Sequence, residues 1–346
     1  MTGSRFAVFL LLLAWTTASG AASLTLDQAV SLALERSTEV QRLTTQVSLD
    51  EATTRQTEAW RRPNLNLSLS GSEQLSRVTA LDGSVEGQAT HGVSLRASSS
   101  LSLFDGFASQ AAVQSSRLEL RAAGQDLTQA RQRVALATAS NFLAVLSAEG
   151  LIGVAQESIA AQQDQLEQLR AGQEQGTRSR AEVLQQMASL ASARMGLVSA
   201  EQVQALALLR LKDDLRLDLG EELTLTGPTP GALVGTPSTY DTDEVSRQAL
   251  AGRPEIDGQR LRVQAAEEQI RQARAGLLPD LSLSVNGGTG YSGQEGAPSV
   301  VDQLFDRNPS ATVGLSLALP LFDRGQTSTA VTRARLQVRN EQLTLE

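Results

Sequence analysis

The chain has 346 residues and a formal charge of −8, from 30 Lys+Arg against 38 Asp+Glu, with 41% hydrophobic and 3% aromatic residues. It contains no cysteine and one histidine, His91, which excludes disulfides, zinc–thiolate sites, thiol catalysis and histidine-rich metal cages, and implies no cofactor. The acidic balance offers no footprint for nucleic acid, and a conventional enzyme is disfavoured.

Residues 1–22 read as a secretory signal peptide. Arg5 supplies the positive start, residues 6–15 the apolar core, and the small residues up to Ala22 the cleavage region. That apolar run is too short for a spanning helix, which needs ~20 residues. No later segment reads as apolar enough to stop in an inner membrane, so residence in a membrane requires a closed β-barrel.

The rest of the chain is written twice. A shift of 216 lays Leu34 to Gly71 on Leu250 to Gly287 without a gap: Glu39 meets Glu255, Val47 meets Val263, and Pro63 meets Pro279. A shift of 218 then lays Leu103-Phe104-Asp105 on Leu321-Phe322-Asp323. This tandem duplication divides the chain into a first repeat over 23–225, a linker over 226–243, and a second repeat over 244–346.

In each copy a short helix precedes a longer one (26–34 then 38–59; 244–250 then 254–275). The longer helix must end before Pro63 or Pro279, since the residue ahead of a proline is pushed to extended geometry. Leu65, Leu67 and Leu69, and likewise Leu281, Leu283 and Val285, then alternate with polar residues as a two-faced strand does. These strands are expected over about 64–70 and 280–286. Polar loops over 71–92 and 286–309 separate them from returning strands over about 93–104 and 311–322. Asp105 and Asp323 stand where a helix N-cap belongs. Strands of this length can cross an outer membrane, but four of them are too few to close a barrel, for which ~8 is the minimum. Several chains are therefore required. Phe104 and Phe322 are the candidates for an interfacial aromatic girdle.

From 106 to about 216 the pattern is a long helical hairpin. Val145, Ile152, Ile159 and Leu166 recur every seven residues, with Ala148, Ala155, Gln162 and Leu169 at +3, and Val183, Leu190, Leu197 and Leu211 answer them on the return. At the tip, Gly172 or Gly176 can end the first helix, and Ser179-x-x-Glu182 is a capping box that starts the second.

These residues resemble the TolC-type outer-membrane efflux and export channels. The resemblance rests on Leu26-x-x-Ala29-x-x-x-Ala33-Leu34, the paired Pro-x-Leu-x-Leu starts at Pro63 and Pro279, and the Leu-Phe-Asp ends at 103–105 and 321–323. The tip adds Gly176-x-x-Ser179-x-x-Glu182-Val183-Leu184, where the family usually shows Asp in place of Glu182. It implies a mainly α fold with a small β part: duplicated coiled-coil hairpins, and four transmembrane strands per chain. A homotrimer would complete a twelve-stranded barrel in outer-membrane lipid and a helical tunnel in the periplasm. It further implies a periplasmic adaptor docking at the tip residues Gly176, Ser179, Glu182, Val183 and Leu184, coupled to an inner-membrane pump of an efflux or type I secretion system. Solutes would pass passively, without catalysis.

By the internal repeat, the second copy runs only 24 residues beyond Phe322, against 112 from Phe104 to Arg216, so about 90 residues of a second hairpin are expected to be absent. The chain as written is thus expected to be incomplete, and a trimer of it to leave the tunnel open-sided. A non-functional fragment is the alternative that follows. A periplasmic coiled-coil adaptor is another, although adaptors are not written twice. Gly288-x-Gly290-x-x-Gly293 matches a dinucleotide pattern but opens no helix, and Asp213-Asp214 and Glu221-Glu222 read as solvated acids.

Overall fold

The computed structural model describes residues 23–79, 85–221, 223–227, 241–293 and 299–346. The signal segment and most of the expected linker lie outside the described residues. The elements in chain order are β1 (Ser23–Leu24), α1 (Leu26–Arg36), α2 (Thr38–Glu58), β2 (Asn66–Thr79), β3 (Val85–Asp105), α3 (Ala108–Glu174) and α4 (Arg180–Asp214). They continue with β4 (Thr224–Leu225), α5 (Thr242–Ala251), α6 (Pro254–Arg274), β5 (Asp280–Gly293), the single turn α7 (Val300–Asp302), β6 (Ser310–Ala318) and α8 (Gln326–Leu345). The shift of 216 carries α2 onto α6 residue for residue, and also the 3-10 turn Ala59–Arg61 onto Ala275–Leu277.

One compact unit comprises Met1–Gln41 with Arg131–Thr239. Its β1 pairs in parallel with β4. Thr25 starts α1 with a capping box, accepting from the Gln28 N–H while the Gln28 side chain accepts from the Thr25 N–H. Ala29 and Ala33 then present a flat, fully buried stripe to Phe142 and Val145 of α3 and to Ala207, Leu211 and Leu215. A methyl group is the largest side chain that such close helix approach admits, which explains the two alanines at i, i+4. Farther along the hairpin, Leu166, Val183 and Leu190 form a second small core flanked by Ile159 and Leu169. Within this second core, between Val183 and Leu190, Gln186 donates to the carbonyl of Gln162 at 3.0 Å and to its side-chain oxygen at 2.8 Å. By length and composition α3 does carry a stretch that could cross a membrane, contrary to the sequence reading. Its apolar side, however, supplies Phe142 and Val145 to the core.

The other unit comprises Arg42–Ala130 with Tyr240–Glu346. Its helices meet through small and polar groups. Thr54 and Ser116 hydroxyls are 2.8 Å apart between α2 and α3, and Arg117 pairs with Glu58 at 2.7 Å. Asp126 pairs with Arg262 between α3 and α6, and Gln259 donates to the Glu341 carbonyl between α6 and α8 at 2.8 Å. Ala122, Ala265 and Ala266 are buried here.

This unit also holds an antiparallel sheet in the order β2-β3-β5-β6. The strands differ from expectation at four places. β2 runs on to Thr79, β3 starts at Val85 and β5 reaches Gly293, so much of the expected polar loops is strand: the backbone ladder continues where apolar alternation has stopped. β6 ends at Ala318 and not near Phe322. Ala318 pairs with Asp280, the first residue of β5, so no partner remains beyond it, and Pro320 has no N–H to give.

Phe142→Ala should cost about 3–5 kcal/mol through lost burial and the cavity left behind. Leu136→Ala, on the same helix but 71% exposed, should stay within about 0.5 kcal/mol. Denaturant unfolding of both variants in detergent checks the contrast.

Candidate functional site

Three features carry the chemistry available to this chain: matched strand–helix junctions, a two-faced sheet and a helical tip.

At the entries to the sheet, the residues preceding Pro63 and Pro279 are both extended. Arg62 lies at φ −96°, ψ 135° and Leu278 at φ −98°, ψ 159°, each closing a turn by donating to Ala59 or Ala275. At the exits, two consecutive residues take the left-handed conformation in each copy: Gly106 and Phe107 (φ 66° and 70°), then Arg324 and Gly325 (φ 54° and 79°). Those two residues move the helix start to Ala108 and Gln326, so the aspartates do not occupy the N-cap position expected of them. They nonetheless do its work, because the left-handed pair curls the chain back. Asp105 accepts from the Ser109 N–H at 2.8 Å, and Asp323 from the Thr327 N–H at 2.7 Å and the Gly325 N–H at 3.0 Å. The Thr327 hydroxyl and N–H together hold the Asp323 carboxyl below its usual range. Gly106 is also required for space. A Cβ there would stand 2.7 Å from the Leu278 Cβ and 2.9 Å from the Ala275 carbonyl oxygen, so the exit of the first copy nests in the entry of the second.

The register gives the sheet one apolar and one polar face. Leu67 and Leu69 pair with Ala97 and Leu95, and Leu281, Leu283 and Val285 with Leu317, Leu315 and Val313. All point to the same side, and most are open to the surroundings: Leu67 is 72% exposed and Leu315 66%. A bulge between Ser102 and Phe104 brings Phe104 onto this face opposite Leu281, where it meets Phe107 edge-on at 5.2 Å. At the far end Tyr291 sits opposite Val93, its ring over Gly293. The next row outward holds Glu73 and His91, 3.9 Å apart. Tyr291 is thus an aromatic residue at the end of this face away from Phe104. Phe322 lies beyond β6 and is 84% exposed.

At the tip, Gly176 takes φ 76° and the Thr177 N–H and hydroxyl both donate to the Gly172 carbonyl, at 2.8 and 2.9 Å. Ser179 and Glu182 form the capping box, each side chain accepting from the other's N–H at 3.3 Å. Their successors diverge: Val183 is buried (7%) against the outgoing helix, whereas Leu184 faces outward, 55% exposed.

The sequence profile of the outer membrane efflux protein family matches residues 29–214 and 245–346. The chain belongs to that family. Among curated relatives, the pyoverdine export outer membrane protein OpmQ of Pseudomonas aeruginosa is 27% identical over 275 residues, covering 76% of this chain and 54% of its own length. The Pseudomonas putida OpmQ is 29% identical over 194 residues, covering 54% of this chain and 37% of its own. The outer membrane protein TolC of Escherichia coli is 39% identical over 80 residues, covering 22% of this chain and 16% of its own. The chain therefore spans about half the length, or less, of the curated relatives it matches. Among solved structures, CusC superposes with a TM-score of 0.78 at 18% identity, over 94% of this chain and 72% of that one. VceC of Vibrio cholerae gives 0.74 at 20% identity, over 92% and 74%. These likenesses establish the efflux-protein fold, and family membership places the chain in the outer membrane.

Tyr291 of this efflux-protein sheet escapes sequence reasoning. It sits within a Gly- and Ser-rich stretch expected as loop, and only the strand register assigns it a face. Arg96, by contrast, already falls on an intervening position of the alternating strand over about 93–104. Gly106→Ala should destabilise the fold by about 2–4 kcal/mol, combining the left-handed backbone with overpacking. Gly124→Ala, mid-helix with nothing within 4 Å of its new Cβ, should gain about 1 kcal/mol. Paired thermal melts decide it.

Proposed function

We propose that this chain is the outer-membrane channel subunit of an efflux or type I secretion system, acting as a homotrimer through which solutes diffuse. The observation that carries this reading is the sheet. Its apolar face is bounded by Phe104 at one end and Tyr291 at the other. Ten residues of β5 separate the Phe104 and Tyr291 rows. At ~3.4 Å per residue and ~40° of tilt they span about 25 Å, the height of a barrel's lipid-facing band. In water such a face is an aggregation hazard; in a bilayer the same leucines are at home.

The two edges supply the stoichiometry. β2 and β6 each pair on one side only within the described sheet. A hydrocarbon environment tolerates no open edge, because unpaired N–H and C=O groups there have no water to bind. Joining β6 of one copy to β2 of the next satisfies both edges, and three copies give twelve strands, above the ~8 that closure requires. The helices below the Pro63 and Pro279 junctions then extend into the periplasm. There Gly176, Ser179, Glu182, Val183 and Leu184 offer the docking tip for a periplasmic adaptor and, through it, an inner-membrane pump. The capping box and the buried Val183 make that tip rigid, and exposed Leu184 gives it an apolar contact.

Because the chain has no cysteine, engineered pairs report cleanly on assembly. Cysteines at Ser70 on β2 and at positions along β6 from Ser310 to Ser316 should, in native membranes, give a disulfide ladder that stops at three copies. A ladder that never leaves the monomer, at every position tried, rules the barrel out. Leu184→Arg should leave that ladder intact and abolish export by the source cells. Undiminished export by this variant would remove the tip from the docking surface.

A further inference from the structure

The polar face of the sheet carries a second piece of information. Between the Phe104–Leu281 row and the Val93–Tyr291 row, that face consists of serine, threonine, asparagine and glycine, with one exception. Arg96 lies there in the middle of β3, opposite Ser68 on one side and Gly288 on the other. A Cβ on Gly288 would meet the Leu95 carbonyl oxygen at 3.2 Å and the Arg96 Cγ at 3.8 Å. The glycine therefore leaves room for the arginine stem to lie across β5. The guanidinium is exposed, and among the described residues no carboxylate pairs with it. On the β3–β5 pair, Asp105 and Asp280 stand at the junction rows, with Asp105 already engaged by the Ser109 N–H. Glu73 of β2, five residues along from Ser68, has the parity of the opposite, apolar face.

A lone cation on a neutral face is unusual in a chain of net charge −8. An arginine stays charged at any physiological pH, and with no acid beside it the charge is uncompensated. If the polar face lines a lumen, as the channel reading requires, the low-dielectric wall behind it focuses the field into the pore. Three copies would set three guanidinium groups at one height. We propose that Arg96 is a selectivity position in the barrel lumen, favouring anionic solutes: organic carboxylates, phosphates and sulfates. Neutral serine and glycine neighbours make the surrounding wall permissive, so charge sign and not shape is the property read at this level. The inference rests on the channel reading, and goes beyond it by naming the charge class of the cargo.

The test is the reversal potential of the full chain in planar bilayers under a potassium chloride gradient. Salt should be kept near or below 0.1 M, where the screening length of about 10 Å still reaches across a pore. The unaltered chain is compared with Arg96→Lys, Arg96→Gln and Arg96→Glu. Arg96→Lys should match the unaltered chain, Arg96→Gln should lower the chloride-to-potassium permeability ratio, and Arg96→Glu should lower it several-fold. If Arg96→Glu does not insert, the neutral Arg96→Gln decides by itself, because it alters an exposed side chain without introducing an acid. Channels whose reversal potential is the same in all variants overturn the selectivity assignment and leave the channel reading standing. Absence of any conductance from the unaltered chain, in repeated reconstitutions, overturns the channel reading and this assignment together.

Discussion

An antiparallel strand sends successive side chains to opposite faces, and a one-residue slip exchanges the two faces entirely. Everything this chain does depends on keeping that parity across four strands. Leu69, Leu95 and Thr289 share one row of the register, as do Ser68, Arg96 and Gly288 one residue away. Among the described residues the bulge at Ser102–Phe104 is the one irregularity of the register, and it falls where β3 leaves the sheet. There it places Phe104 on the apolar side and lets Asp105 turn towards α3. A bulge in mid-strand would have reversed the faces of half the strand; at the exit it only re-aims the last side chains.

The junctions meet a related constraint. A strand and a helix differ in both period and rise, so the chain must change direction and conformation within a few residues. Both copies solve this with two left-handed residues and an aspartate, but with different sequences: Gly-Phe follows Asp105, whereas Arg-Gly follows Asp323. One glycine in each pair suffices, and its position differs. At the first junction the glycine must come first, because Leu278 and Ala275 leave no space for a Cβ. At the second junction a Cβ on Gly325 would meet only the Ser328 hydroxyl at 3.6 Å, so conformation alone selects the glycine. The repeat thus conserves a hydrogen-bond pattern from aspartate to the residue four positions on, and leaves the intervening residues to local packing.

This difference explains what could be read from the sequence. Proline, aspartate and heptad leucines act through local geometry, so Pro63, Pro279, Asp105, Asp323 and the Val183–Leu190 seam are legible one segment at a time. The outer parts of β2, β3 and β5 are not, because Ser, Gly, Gln and Glu stretches carry no apolar alternation, and only pairing with a neighbour makes them strands. Phe322 stands outside the sheet for a related reason. Its sequence context matches Phe104, but β5 begins at Asp280 and offers no ladder that far. Tyr291 becomes meaningful only once the register says which way it faces. The polar parity of Arg96, legible in the alternation, gains meaning only from the neutral neighbours that the register sets around it.

The hairpin illustrates how far apolar packing goes in such a chain, and where it stops. Its buried contacts come in separate layers, Phe142 and Leu211 in one and Leu166, Val183 and Leu190 in another, so long alanine-rich helices could slide by a heptad at little loss. Gln162 and Gln186 oppose that. Their side-chain hydrogen bond and the second bond to the Gln162 carbonyl are satisfied in one register only. Any slip leaves partly buried amide groups unpaired, at about 1–3 kcal/mol each. A polar pair in a seam is a poor source of stability and a good source of specificity. Here it lies close to the tip, where the order of Ser179, Glu182 and Val183 decides which side chain, Val183 or Leu184, faces outward.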